Sequence, residues 1–292
     1  MKPDPSAPVD DVAHARPRPR WGRRAALALM LLVALQALWF LVSNPRFEWG
    51  VVAEYLTATN VLKGLGVSVL LTAIGMTLGT VVGTAVALCK LSDFPAARAF
   101  GHFYTWLFRG TPLLIQLLAW YNLAYLLPKI TLGIPFGPVW VRWETNELIT
   151  PFIAAVLGLA LNEAAYMAEV MRAGILSVDP GQRDAARALG FTPAQTFRRI
   201  VFPQAMRVVL PPAGSQVIGM LKGTSLVSVI AMTDLLFSVQ TIYNRNFKVV
   251  PLLLVATVWY LAVFTLLTLL QGRLERHYSR GHSQAVSKRE RP

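Results

Sequence analysis

Five ionisable side chains stand inside or at the edge of long apolar stretches: Arg109, Glu163, Glu169, Arg172 and Lys222. Charge at such a position is costly unless it is paired or used. Glu163 has two readings, a bond to a neighbouring helix or contact with the amine of a passing solute. Glu169 and Arg172 are three residues apart on one helical face and can pair with each other. Lys222 interrupts an apolar run and reads as a hinge or interface charge, with solute contact as the second reading. Arg109-Gly110-Thr111-Pro112 places Thr as helix N-cap and Pro at the first helical position, so Arg109 either snorkels at a boundary or gates it. Trp120, Tyr121 and Tyr125 read as interfacial or packing aromatics. No His, Cys, Asp and Glu cluster has metal-ligand spacing: His14, His277 and His282 fall in the tails and His102 is isolated. No Ser-His-Asp or G-x-S-x-G arrangement is present, so no catalytic residue and no resident cofactor is expected. A Walker A loop needs G-K-[ST]. None of the seven lysines follows a glycine, and Lys222-Gly223-Thr224 has the reverse order.

The elements that must position these residues follow from composition. Of 292 residues only 15% are charged and 54% are hydrophobic, with a mean hydropathy of +0.48, whereas soluble chains carry roughly 25% charge. Several uncharged runs reach the roughly 18 residues needed to cross a bilayer. The expected class is an all-α polytopic membrane protein; the alternating segments of about ten residues that mark a β-barrel are absent. Cys89 is the single cysteine, so no internal disulfide holds the fold.

The first run, 25–42, follows Arg16, Arg18, Arg20, Arg23 and Arg24. No small-residue cleavage site follows it, so it reads as a retained anchor helix over 25–43. The second, 65–89, carries Gly75, Gly79 and Gly83 at four-residue spacing, with Ser68 and Thr72 on much the same face. Such a face packs closely on another helix. Further segments lie at 112–127, 149–170, 204–240 and 249–270. The fifth run is broken by Pro211-Pro212 and by Lys222-Gly223-Thr224-Ser225, and reads as one tilted or broken span with a re-entrant or surface-lying continuation. Six crossings result. The tails 1–24 and 273–292 and the connections 89–110 and 171–207 hold 21 of the 28 Lys and Arg residues. The excess of basic residues on one side places both termini in the cytoplasm. The net charge of +13 is thereby a topology signal and not evidence for nucleic acid.

The connection 171–207 is the most informative segment. Asp179-Pro180-Gly181-Gln182 is a helix start, and the helix from Pro180 to Leu189 ends at Gly190, suited to a left-handed C-terminal position. Thr192-Pro193-Ala194-Gln195 starts again at once. Two short helices therefore meet at a fixed elbow whose Ala-rich face can enter a groove on another protein.

Asp184-Ala185-Ala186, then Gly190, Ile200 and Pro203 at their spacings, resemble the EAA motif of ABC-importer permeases, E-A-A-x3-G-x9-I-x-L-P. Asp184 replaces Glu and Phe202 replaces Leu. Phe108-Arg109-Gly110-Thr111-Pro112-Leu113-Leu114, Ala165-Tyr166-Met167-Ala168-Glu169, Arg172-Ala173-Gly174-Ile175 and Leu221-Lys222-Gly223-Thr224-Ser225-Leu226 resemble the polar amino-acid, histidine/glutamine permease-like subfamily; Ala173 stands where Gly is usual. The resemblance covers about 60–272 and implies a permease core of five spans, with 1–45 as an addition. It implies that the elbow is a coupling helix for a cytoplasmic ABC ATPase dimer, with Asp184, Arg183 and Arg187 at its rim. It also implies a second permease, the same chain or a paralogue, an extracytoplasmic solute-binding protein and a polar amino acid as substrate, in a prokaryotic cytoplasmic membrane. ATP is then bound by the partner. Glu163, Arg109, Lys222 and Tyr166 are the candidate pathway residues. A secondary transporter would predict inverted repeats, which are not seen, and a membrane-anchored regulator would need a third helix beside the elbow pair.

Overall fold

The computed structural model describes residues 21–134 and 137–279; most of the two basic tails lies outside them. The described residues fall into two compact units divided after Glu48. In the first, α1 (Trp21–Ser43) is apolar on every side and none of its described residues is buried. Asn44 caps a single 3-10 turn at Pro45–Phe47, and Phe47 meets Phe40 edge-on with ring centroids 5.9 Å apart.

The second unit runs through α2 (Trp49–Leu56), α3 (Thr59–Leu91), α4 (Pro95–Gly110), α5 (Leu113–Tyr121) and α6 (Leu123–Leu126). A hairpin of β1 (Lys129–Gly133) and β2 (Val139–Glu144) follows, then α7 (Thr145–Leu148), α8 (Pro151–Leu176), α9 (Pro180–Ala188), α10 (Pro193–Thr196), α11 (Phe202–Gly223), α12 (Leu235–Asn246) and α13 (Val249–Ser279). The chain is an all-α membrane protein as expected, and this short hairpin, which the sequence reading did not include, is a local addition between its helices. Its strands pair antiparallel from Lys129 opposite Glu144 to Leu132 opposite Val141, with a register shift at Gly133. Alternating β-branched and aromatic residues favour that pairing, but they lie between the long apolar runs that dominate a reading by hydropathy.

Among the described residues, α1, α3, α8 and α13 are long and apolar enough to cross a membrane; the bent run from Pro193 to Asn246, turning by 45° between Ile230 and Leu235, adds a fifth if counted as one span. The expected span at 112–127 is instead α5 and α6, broken at Asn122, whose Nδ2 donates to Leu118 O at 2.8 Å. The nine residues of α5 cover only about 14 Å, less than the bilayer's hydrocarbon thickness of about 30 Å. The continuation of the fifth segment is not surface-lying. After α11 a 3-10 stretch at Thr224–Ile230 leads to α12, and Thr224, Val227, Ile230, Asp234, Leu235 and Val239 are all buried.

The small-residue face of α3 receives α8. A Cβ on Gly79 would stand 2.8 Å from Glu163 Cβ, and one on Gly83 2.7 Å from Ala164 O and 2.9 Å from Met167 Cβ. Gly75 faces Met220 of α11. Beyond this seam, Leu71, Leu117, Ala155, Leu159, Met220 and Val227 form the main core, and Val52, Val61, Leu235, Val239, Leu252 and Val255 a second one between α2, α3, α12 and α13. Ser68 joins the two by accepting from Leu235 N at 3.1 Å.

Close approach at Gly83 is thus required, whereas Gly66 has open space around it. Gly83→Leu is expected to cost on the order of 1–3 kcal/mol by overpacking and to lower the apparent melting temperature in detergent. Gly66→Leu should leave it within error, and equal melting of both variants would refute the seam.

Candidate functional site

The elbow is built by side-chain and backbone caps. Asp179 Oδ1 accepts from Gly181 N at 2.7 Å to start α9. At the other end Gly190 N donates to Arg187 O at 2.9 Å and Phe191 N to Ala186 O at 3.0 Å, with Gly190 left-handed at φ 78°. This pair of bonds is a Schellman termination. Thr192 and Gln195 then close a reciprocal capping box, at 3.3 Å from Gln195 N to Thr192 Oγ1 and 2.9 Å from Thr192 N to Gln195 Oε1. The second arm is not a short helix, as the sequence suggests. It passes through a π-helical turn at Phe197–Val201, closed by Phe202 N donating to Phe197 O, and continues as α11. Pro203 lacks an N–H, and the wide turn just before it lets the helix run on despite the missing bond.

The motif residues divide by direction. Ala186 is buried at the elbow, while Ala185 is exposed. Arg183 is not a rim charge: its Nη2 donates back to Ile175 O at 2.7 Å and fastens α9 to the end of α8. Asp184 and Arg187 stay outside, 3.7 Å apart and both more than 70% exposed. Ile200 is half-buried, Pro203 exposed, and Val178, Val201 and Ala205 close the root. Leu189 went unnoticed in the sequence. It is 75% exposed at the tip, and its position just before the terminating glycine is the signal that could have found it.

A second arrangement lies along α8. That helix extends six residues past the expected 170, so Glu163 is its thirteenth residue of 26, about 20 Å from the elbow end instead of about 10 Å. Glu163 lines a small cavity of about 150 Å³ with Asn162, Tyr166, Gln216, Gly219 and Gly223. It is only 6% exposed, and its Oε1 has no hydrogen-bond partner among the described residues. A bond to a neighbouring helix is therefore not made by that oxygen. Asn162 Nδ2 donates to Phe108 O at 3.0 Å and to Gln116 Oε1 at 3.2 Å, while Gln116 Nε2 donates to Phe108 O at 2.9 Å and Thr111 Oγ1 at 2.8 Å. These bonds satisfy backbone freed where α4 breaks into α5, and they hold Arg109-Gly110-Thr111-Pro112 against α8. Tyr166 is part of the cavity wall, and the Arg109 guanidinium, itself outside the lining, sits 5.4 Å from its ring centroid. Lys222 is outside the lining; its Nζ lies 5.0 Å from the Phe264 ring centroid on α13.

About 9 Å nearer the elbow along α8, Glu169 gathers cations. Lys90 Nζ donates to it in a short ion pair and also to Thr105 Oγ1 at 3.0 Å. Arg172 Nε bonds its other oxygen at 2.9 Å, as the spacing predicts, and Arg109 Nη1 is 3.8 Å away. The Lys90 side chain is 4% exposed. Among the described residues no group of three or more metal-ligating side chains occurs.

A family model described as binding-protein-dependent transport system inner membrane component matches residues 26–280. The arginine transport system permease protein ArgU of Corynebacterium glutamicum is 39% identical over 282 residues, covering 95% of this chain and 86% of that protein. The probable amino-acid ABC transporter permease protein YckA of Bacillus subtilis is 32% identical over 75% of this chain and 89% of its own length. Among solved structures, an amino acid ABC transporter with histidines aligns with a TM-score of 0.63 at 33% identity, covering 75% of this chain and 94% of that one. The MetNI methionine ABC transporter, at 16% identity and a TM-score of 0.61, shares the fold.

Removing Glu169 alone strands the buried Lys90 ammonium. Glu169→Met is expected to destabilise the protein by about 3 kcal/mol, and Lys90→Met with Glu169→Met together by clearly less, because the uncompensated charge is gone. Melting temperatures of the two variants check this; a double variant as unstable as the single would show that the pair contributes packing only.

Proposed function

Because this chain belongs to the binding-protein-dependent transport system inner membrane components, we propose that it is the permease subunit of an ABC importer for a polar amino acid, driven through the elbow by a separate ATPase. The observation that carries the reading is the capped elbow with Ala185 and Leu189 turned outward and Arg183 turned inward. A rigid arm with an apolar tip can fill a cleft on a partner and transmit force to α8 and α11, to which it is fastened at both ends. Asp184 and Arg187 flank that tip and set its charge. ATP-driven closure of two ATPases moves the elbows of two permeases and switches the pore between inward and outward facing. An extracytoplasmic solute-binding protein delivers the amino acid to the open pore. The chain performs transport and not catalysis; hydrolysis belongs to the partner.

Six crossings with both termini cytoplasmic, α1 as an added anchor, and the α4–α5 region completing one crossing accord with the distribution of Lys and Arg. In the pore, Glu163 meets the cationic group of the solute, with Tyr166 and Arg109 on the elbow side of the cavity as its gate. A buried carboxylate oxygen without a donor supports this. Arginine, named for the Corynebacterium protein, is the first substrate to try.

Affinity purification of tagged protein from membranes of its native host, with partners identified by mass spectrometry, tests the assignment. A Walker-motif ATPase is expected with the wild type and is expected to be lost with Gly190→Trp and with Leu189→Glu, which leaves the buried side of the elbow untouched. Preparations without any ATPase that still transport in ATP-free vesicles would sink the importer reading and favour a secondary transporter. Separately, Glu163→Gln should abolish uptake of a cationic amino acid while ATPase recovery stays at the wild-type level.

A further inference from the structure

We propose that the crevice between α11 and α13 binds one anionic phospholipid, with its phosphate between Arg207 and Arg276 and an acyl chain along the groove behind them. Two cavities of about 630 and 590 Å³ adjoin here and share Leu210 and Glu275. The larger is a trough floored by α8 and α11 and walled by α3 and α13, with Met76, Met167, Met171 and Met206 among its lining. Methionine's unbranched, polarizable side chain suits an irregular, mobile hydrocarbon partner. The smaller cavity is its mouth, where Ser177, Gln204, Arg207 and Arg276 join apolar residues in the lining. From Leu267 in the trough to Arg276 at the mouth, α13 advances about 14 Å, so the lining changes from hydrocarbon-like to cationic along one helix, as a phospholipid does from chain to headgroup.

Charge decides the class of headgroup. Neither Arg207 nor Arg276 pairs with a carboxylate among the described residues. Arg276 is oriented by its Nε donating to Gly272 O at 3.0 Å, which leaves both Nη groups for a ligand. Glu275 lies at the junction and accepts from Gln271 Nε2 at 2.8 Å, and the same amide donates to Pro211 O at 3.3 Å. Two cations against one carboxylate leave a net attraction for phosphate, while Glu275 can accept from headgroup hydroxyls, as in phosphatidylglycerol. Basic recesses between helices at the cytoplasmic end of a membrane protein suit such lipids. The trough is separate from the Glu163 cavity: Ala213, Gly214 and Val217 of α11 face the trough, and Gln216, Gly219 and Gly223 face the cavity. The mouth reaches Ser177 and Val178 at the root of the elbow, so a seated headgroup braces the arm that carries α9.

The full-length protein, delipidated in mild detergent, is mixed with phosphatidylglycerol, phosphatidylethanolamine or phosphatidylcholine of matched chains, and bound lipid is counted by native mass spectrometry. Retention of a single phosphatidylglycerol is expected, in preference to phosphatidylcholine on the order of tenfold or more for two arginines at the headgroup. Arg207→Gln with Arg276→Gln should erase the preference without shifting the melting temperature. Ala213→Phe, which fills the trough, should reduce retention of all three lipids. Equal retention of the three by the wild type, or preference for phosphatidylethanolamine, would overturn an anionic site. Displacement of phosphatidylglycerol by millimolar inorganic phosphate would reduce it to a small-anion site, and lipid-free dimers alone would assign the trough to a second copy of the chain. Binding is read on this chain without an ATPase, so the outcome is independent of the importer assignment.

Discussion

Hydrocarbon neither solvates a charge nor completes a backbone hydrogen bond, so every polar feature of this molecule exists on condition that helices come close enough to satisfy it. One such approach is along α3 and α8, where Gly79 and Gly83 have no side chain of their own to hold off Glu163, Ala164 and Met167. That contact fixes the rotation of α8 and so decides which way Glu163, Tyr166 and Glu169 point. Lys90, near the end of α3, meets Glu169 only because the seam brings the two helices into register. Dispersion contacts across small residues thus hold the geometry, and the ionic and hydrogen-bonded groups take their places on it.

The same helix joins the membrane part to the elbow. α8 runs without a break to Leu176, and Arg183 of α9 bonds back to Ile175, so α9 is tied to the end of α8. On the return side α11 takes up Pro203 in a π-helical turn and contains Pro211 and Pro212. Each proline removes one N–H from the ladder, so α11 is the more deformable of the two. The elbow is thus held by one uninterrupted helix and one whose hydrogen-bond ladder is broken at several places.

How much of this the sequence discloses depends on the range of the interaction. The elbow was legible almost to the residue: Asp179, Gly190, Thr192 and Gln195 act on neighbours at most five positions away, through caps with strong residue preferences. The glycine face of α3 was legible as a packing surface, though not as a partner for α8 in particular. Glu169 with Arg172 followed from helical spacing, but Lys90 with Glu169 and Asn162 with Phe108 join distant parts of the chain, and no local pattern announces them. The hairpin at Lys129–Glu144 leaves little trace in the sequence because its alternation spans only five and six residues. The break of the 112–127 run at Asn122 was also missed, since apolar content alone does not distinguish a continuous helix from an interrupted one. Direction is not legible either: Ala186 within the motif and Arg183 just before it face inward, and only packing decides that.

The distance in sequence between Lys90 and Glu169, 79 residues, also bears on how the chain is made. When α3 leaves the ribosome and enters the bilayer, its carboxylate partner has not been synthesised. Without that partner a lysine keeps its ammonium hydrated at the lipid boundary, which stops that end of α3 from sinking into hydrocarbon. Thr105 on α4 is available soon after, and the arrival of α8 exchanges the remaining water for Glu169. The charge that first keeps the end of a nascent helix in water is later taken up as a clasp between two helices in the finished protein.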